Sequence, residues 1–250
     1  MSSKIIIEVC AGSVESAIAA SKGGANRIEL CCALPEGGLT PSQAMIEYVI
    51  ANLNFKTFVL IRPRSGDFSY SRAEFEVMKS DIFAAKAKGA HGIVTGMLNT
   101  DGSIDTCRMK EVVEMANPMK VTFHRAFDLA KDPYEALEII IALGCDRILT
   151  SGMAGTALQG VELISGLVKQ AGSRIVIMPG SGINASNLEE IYLKTGAHEF
   201  HLSATSATQS RMVFRKQGVK MGNGTADEYN FQQTDKNLVS EVCTLAARLI

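Results

Sequence analysis

Gly24-Ala-Asn-Arg-Ile-Glu-Leu30 recurs without a gap as Gly89-Ala-His-Gly-Ile-Val-Thr95, Gly144-Cys-Asp-Arg-Ile-Leu-Thr150 and Gly196-Ala-His-Glu-Phe-His-Leu202. Each copy has a glycine suited to a left-handed helix stop, then a small residue, a turn and a β-rich run. The glycine needs no further explanation than that cap. These junctions introduce every second strand, so the chain reads as four strand-helix-strand-helix units.

Outward from the repeat, β-rich runs are expected at 5–10, 27–31, 57–63, 92–96, 121–127, 147–152, 174–179 and 199–204. Helical patterns separate them at 13–22, 41–51, 71–88, 105–116, 133–143, 157–171 and 187–195, and an eighth follows at 238–250. Ser13 reads as the first cap, Thr40 with Pro41 as the second, and Asp128 with Asp132-Pro133 as the opening of the fifth. Alternating strands and helices imply a parallel sheet, and eight such units predict one closed (β/α)8 TIM barrel, a single domain over 1–250. A doubly wound open sheet is the rival, but no GxGxxG is present. Residues 205–235 lack strong periodicity and are expected to form a long loop, either a lid or an interface segment.

Hydrophobic residues make up 46% and charged residues 20%, which suits a soluble globular chain with a large core. The formal net charge of −1, with no basic run, disfavours nucleic acid and anionic membranes as partners. No apolar run approaches the roughly 18–20 residues of a membrane span. The start of the chain reads as a strand rather than a signal peptide, so a cytoplasmic location is expected. Six cysteines without a CxxC fit reduced thiols better than a disulfide framework or a structural zinc. A homo-oligomer, dimer or tetramer, is expected.

In a barrel, function sits where strands end, and these strand ends are polar. They supply Glu8 and Cys10, Glu29 and Cys31, Arg62-Pro63-Arg64, His124-Arg125, and His201 with Ser203. Period-two alternation puts Glu8 with Cys10, Glu29 with Cys31 and His201 with Ser203 on common faces. Such groups either satisfy one another or meet a ligand. Arg62 and Arg64 are candidates to grip a carboxylate or phosphate, although a surface turn with a salt bridge to Asp67 is the plainer reading. Gly180 and Gly182 are candidates for a phosphate cradle, a weak signal because glycines also suit a plain turn. No lysine ends a strand, which argues against a Schiff-base aldolase.

Glu8-Val-Cys10, Gly23-Gly-Ala-Asn-Arg-Ile-Glu-Leu-Cys31, Gly37-Gly-Leu-Thr-Pro-Ser42, Ile61-Arg-Pro-Arg-Ser-Gly-Asp-Phe68, Asp101-Gly-Ser-Ile-Asp105, Phe123-His-Arg-Ala-Phe-Asp128, Arg147-Ile-Leu-Thr-Ser-Gly152 and Pro179-Gly-Ser-Gly-Ile183 together resemble the CutC copper homeostasis family. The resemblance runs from residue 5 to about residue 205 in the family's order. It implies a TIM barrel, a cytoplasmic role in copper handling, and Cu(I) binding with Cys10 and Cys31 as the matching ligands. Ser181, where a third glycine is common, and Thr95, where a bulkier apolar residue is expected, depart from the pattern.

Two thiolates are a soft pair suited to Cu(I), which accepts linear two-coordination. Copper alone leaves Arg62, Arg64, His124 and the glutamates unexplained. The alternative is a TIM-barrel enzyme acting on a small anionic metabolite, phosphorylated or not. In that reading Glu29 or His124 is the acid or base and Arg62 the anion clamp.

Overall fold

The repeat glycines do what a left-handed stop requires. In the computed structural model, which describes residues 4–219, 221 and 227–249, Gly24, Gly89, Gly144 and Gly196 have φ from +69° to +89°. Each follows a helix and leads into a strand. The strands are β1 (Ile6–Ala11), β2 (Arg27–Leu30), β3 (Lys56–Leu60), β4 (Gly92–Thr95), β5 (Lys120–Phe123), β6 (Arg147–Thr150), β7 (Val176–Pro179) and β8 (Glu199–Leu202). All their pairings are parallel, in the order β7-β6-β5-β4-β3-β2-β1-β8. A parallel bridge between Gly180 and His201 joins the two ends of this sheet. The fold is the expected TIM barrel.

The helices are α1 (Val14–Lys22), α2 (Gln43–Asn52), α3 (Arg72–Ala87), α4 (Thr106–Ala116), α5 (Pro133–Ala142), α6 (Val161–Ala171), α7 (Leu188–Thr195) and α8 (Lys236–Arg248). Alternate strand residues such as Ile7, Val9, Ile28, Leu30, Ile93, Ile148 and Phe200 share one buried cluster with Ala17, Val49, Ile82, Val112 and Ile140 of the helices. The intervening positions carry the charged side chains that line the barrel interior.

Local chemistry moves several expected boundaries. Strand β5 stops at Phe123 rather than 127, because Arg125–Leu129 coils into a 3-10 turn capped by His124, whose Nδ1 accepts from Ala126 N–H. Ser42, not Thr40, caps α2 by accepting from Met45 N–H, since the Thr40 hydroxyl is engaged with the Arg62 backbone. Asp132 alone caps α5, while Asp128 turns towards β6. Helix α6 starts at Val161 rather than 157. Before it, Ala157 N–H donates to Ser181 C=O and Gly160 packs on Gly152, where a Cβ would meet the Ser151 carbonyl at 2.0 Å.

The segment expected as a loop over 205–235 has paired ends. Strands β9 (Thr205–Gln209) and β10 (Asn230–Thr234) form an antiparallel ribbon. It is anchored by Thr234 N–H donating to Ser16 Oγ and by Ser206 Oγ donating to Asp235. Both of its faces are largely polar, so no apolar alternation marks these strands in the sequence. Parts of the segment, residue 220 and 222–226, lie outside the described residues.

Candidate functional site

The lower barrel interior is a charge network in which both guanidinium groups meet carboxylates, with Arg147 Nη1 left without a hydrogen-bond partner among the described residues. Arg27 Nε donates to Glu8 Oε2 and its Nη2 to Glu199 Oε2 at 2.6 Å, while Arg147 Nε reaches the same Glu199 oxygen at 2.8 Å. Both guanidinium groups lie over Phe58, 4.9 and 5.2 Å from the ring centre. Gly92 makes room for that ring, since a Cβ there would sit 2.2 Å from it. Arg27, Gly92, Arg147 and Glu199 occupy one position of the four-fold repeat. Burial alone would raise the Glu8 carboxyl, but Arg27 and His201 outweigh it and hold the group at about 2. Glu199 is likewise lowered, its burial outweighed by Arg147 and Arg27.

Above this floor, His201 Nδ1 lies 2.9 Å from Glu8 and Nε2 lies 3.5 Å from Glu29. Burial works against the imidazolium, yet Glu29 and Glu8 raise its pKa above the ordinary histidine value. Burial raises the Glu29 carboxyl, and the Glu8 charge adds to that. Cys10 pairs in register with Glu29, and its Sγ is 3.4 Å from Cys31 Sγ. The Cys31 contact, burial and the Glu29 charge all push the Cys10 thiol well above its ordinary value, so without a metal it stays protonated. Donor atoms of Cys10, Glu29 and His201 lie within 4.8 Å of one another, a buried cluster able to hold a metal ion. With metal–sulfur bonds of about 2.3 Å, sulfurs 3.4 Å apart subtend roughly 95° at the ion. Linear coordination would need them farther apart, so this separation suits a bent site with a third donor.

A cavity of about 460 Å³ opens over these groups, lined by Cys10, Glu29, Arg62, His124, Arg125, Gly182, His201 and Ser203 of the expected residues. Leu34, Leu60, Phe68, Leu149 and Ile183 give it apolar walls. Arg62 is buried and donates only to carbonyls: Nη1 to Glu36 at 2.8 Å and Gly38 at 2.9 Å, and Nη2 to Gly66 at 2.9 Å. Its Nε and the Nε2 of His124 are buried without a hydrogen-bond partner. Because His124 Nδ1 accepts from Ala126, the neutral ring carries its proton on Nε2. Burial, reinforced by the Arg62 charge, pulls its pKa down to about 3. A histidine held neutral in this way serves as a hydrogen-bond donor rather than as a general base near pH 7.

Four expected site residues lie elsewhere. Arg64 does not face the cavity: Nε binds Glu74 at 2.6 Å, Nη2 binds Asp67 at 3.0 Å, and the group stacks on Tyr70. Its Glu74 partner completes a capping box with Ser71, so Arg64 pins a loop to the start of α3. Gly180 sits behind the wall, its N–H donating to Thr150 C=O, with no space for a Cβ beside Leu149. Glu8 and Cys31 are fully buried, behind His201 and Cys10 respectively. Asp128, read in the sequence only as a helix opener, is a wall residue that accepts from Arg125, Thr150, Ser151 and Met153. Neither departure from the family pattern touches a thiol. Ser181 adopts φ +82° with Oγ donating to Gly155 C=O, and buried Thr95 donates to Ile61 C=O. Phe68 and Leu149 were also legible, the first in the quoted Ile61–Phe68 stretch and the second as the repeat partner of Glu29 and His201.

The sequence matches the model of the CutC family over residues 5–206. The mouse (Mus musculus) copper homeostasis protein cutC homolog is 50% identical over 243 residues, 97% of this chain and 88% of the mouse protein. The crystal structure of CutC from Streptococcus agalactiae aligns with TM-score 0.76 at 31% identity, over 80% of this chain and 98% of that one. Phosphoribosylanthranilate isomerase from Pyrococcus furiosus aligns over 98% of this chain and 99% of its own, with TM-score 0.56 and 14% identity, a likeness of fold alone. Among the described residues, no helix is long and apolar enough to cross a membrane.

Proposed function

Because this chain belongs to the CutC family, we propose that it binds Cu(I) in copper homeostasis through the Cys10 and Cys31 thiolates. The observation that carries this reading is the 3.4 Å separation of the Cys10 and Cys31 sulfurs at neighbouring strand ends, with Cys10 also within 4.8 Å of donor atoms of His201 and Glu29. Paired thiolates are soft donors that favour Cu(I) over harder cations, and imidazole is an acceptable third ligand. Loading displaces thiol protons, so affinity rises with pH. The reading also places the protein in the cytoplasm, where free thiols stay reduced. Base catalysis by His124 has less support, since burial leaves its ring a weak base and its Nδ1 already accepts from Ala126 N–H.

Titration of Cu(I) against a competing chelator tests the assignment. Changes outside the first ligand shell typically cost 10–100-fold, so Cys10→Ser with Cys31→Ser is expected to cost more than about 100-fold. Unchanged affinity in that double variant would overturn it. His201→Ala should weaken binding by a smaller factor if the site is bent and three-coordinate, whereas a linear two-sulfur site would not respond.

A further inference from the structure

The copper reading leaves the outer half of the cavity without a role, and that half holds two buried donors with nothing to bind. Arg62 is 7% exposed and His124 5% exposed, and both line the same cavity. The Arg62 guanidinium hydrogen-bonds to the carbonyls of Glu36, Gly38 and Gly66, and among the described residues no carboxylate pairs with it. Arg27 and Arg147, equally interior, are each paired with glutamate. A buried guanidinium with no counter-ion and an unused N–H is costly until an anion meets it. His124 adds a second unused donor, its Nε2–H, as its Nδ1 is occupied by Ala126 N–H. Phe68 packs against both, 5.1 Å from the Arg62 guanidinium carbon and 4.7 Å from the His124 ring. Arg125 stands on the rim, steered by Asp128 and Ser151.

We propose that Arg62 and His124 form a subsite for the carboxylate or phosphate of a small organic anion whose apolar body lies against Leu34, Leu60 and Leu149. Two donors with no acceptor in hydrogen-bond reach among the described residues select an oxyanion over a cation or a neutral amide. The apolar walls select an organic anion over a bare inorganic one, and about 460 Å³ is within the range of ordinary small-molecule pockets. The subsite is separate from the thiol pair and does not depend on copper.

The experiment is a thermal-shift and calorimetric titration of the copper-free full chain. The probes are benzoate, phenyl phosphate, inorganic phosphate and, as the neutral control, benzamide. Benzoate or phenyl phosphate is expected to raise the melting temperature while benzamide does not, and whichever binds tighter distinguishes a carboxylate from a phosphate site. Inorganic phosphate should bind more weakly than phenyl phosphate, and the reverse order would overturn the apolar half of the site. Arg62→Gln is expected to weaken the winning probe by at least about tenfold, the value of one charge-assisted contact. Should that variant fail to fold, His124→Phe keeps the ring and removes the Nε2–H, with the same expectation. The Cys10→Ser and Cys31→Ser double variant should keep the response, so failure of the copper reading leaves this one standing. No shift with any anion, an equal shift with benzamide, or undiminished binding in both Arg62→Gln and His124→Phe would overturn the proposal.

Discussion

The floor and the mouth of this barrel are both lined with charge, but only the floor pairs every guanidinium with a carboxylate, even though Arg147 Nη1 is left without a hydrogen-bond partner among the described residues. Below, each guanidinium has a carboxylate: Arg27 is shared between Glu8 and Glu199, and Arg147 joins the latter. At the mouth, Arg62 donates to three carbonyls and, among the described residues, meets no carboxylate, His124 has one unused N–H, and the Cys10 and Cys31 sulfurs lie 3.4 Å apart. Charges that satisfy one another specify structure, whereas donors left over at strand ends are what a ligand would complete. A buried arginine therefore carries different meanings at two depths of one barrel.

The largest effect is expected at the floor. Arg27→Ala leaves Glu8, fully buried, and Glu199, mostly buried, without their shared partner. Breaking a buried pair in this way typically costs about 3–5 kcal/mol. Urea unfolding of the variant measures it, and a loss below about 1 kcal/mol would mean the floor is no more structural than the mouth.

Acid should expose the same contrast. The folded-state pKa of Glu8 is about 2 against an ordinary 4.5, so its contribution is fully present above 4.5 and is lost as pH falls from there towards 2. The shift corresponds to the order of 3 kcal/mol. Unfolding free energies measured down this range should fall steeply for the parent. Glu8→Gln, less stable at neutral pH, should lack most of that slope. Parallel curves for the two proteins would assign the acid sensitivity to other carboxylates.

The barrel was legible because its four junctions repeat, and each repeat carries a backbone requirement that a sequence can show: a left-handed glycine before a strand. Strand alternation put Cys10 on the face of Glu8, whereas Cys10 and Cys31 as a pair were singled out only by the family resemblance. The placing of Arg64 was not legible. It lies beyond the last residue of β3, in a loop whose course is set by Glu74 and Asp67 rather than by any period. The floor was overlooked for a different reason. Arg27, Arg147 and Glu199 begin their strands, and barrel chemistry is sought where strands end, yet the repeat had already aligned all three. The β9–β10 ribbon carries no apolar alternation, because ladder hydrogen bonds and contacts to α1 hold it rather than a buried face.

The smallest effect is expected where the mouth looks most like a core. His124→Phe keeps a ring against Phe68 and Phe123. It removes the acceptor used by Ala126 N–H, and with it the unused Nε2–H. One buried donor is left unsatisfied and another is eliminated, each worth about 1–3 kcal/mol, so the two changes largely cancel. Stability within about 1 kcal/mol of the parent is the expected outcome, read from the same urea unfolding as Arg27→Ala. A loss above about 3 kcal/mol would show that His124 belongs to a structural network like that of the floor, and the distinction between the two depths would fail there.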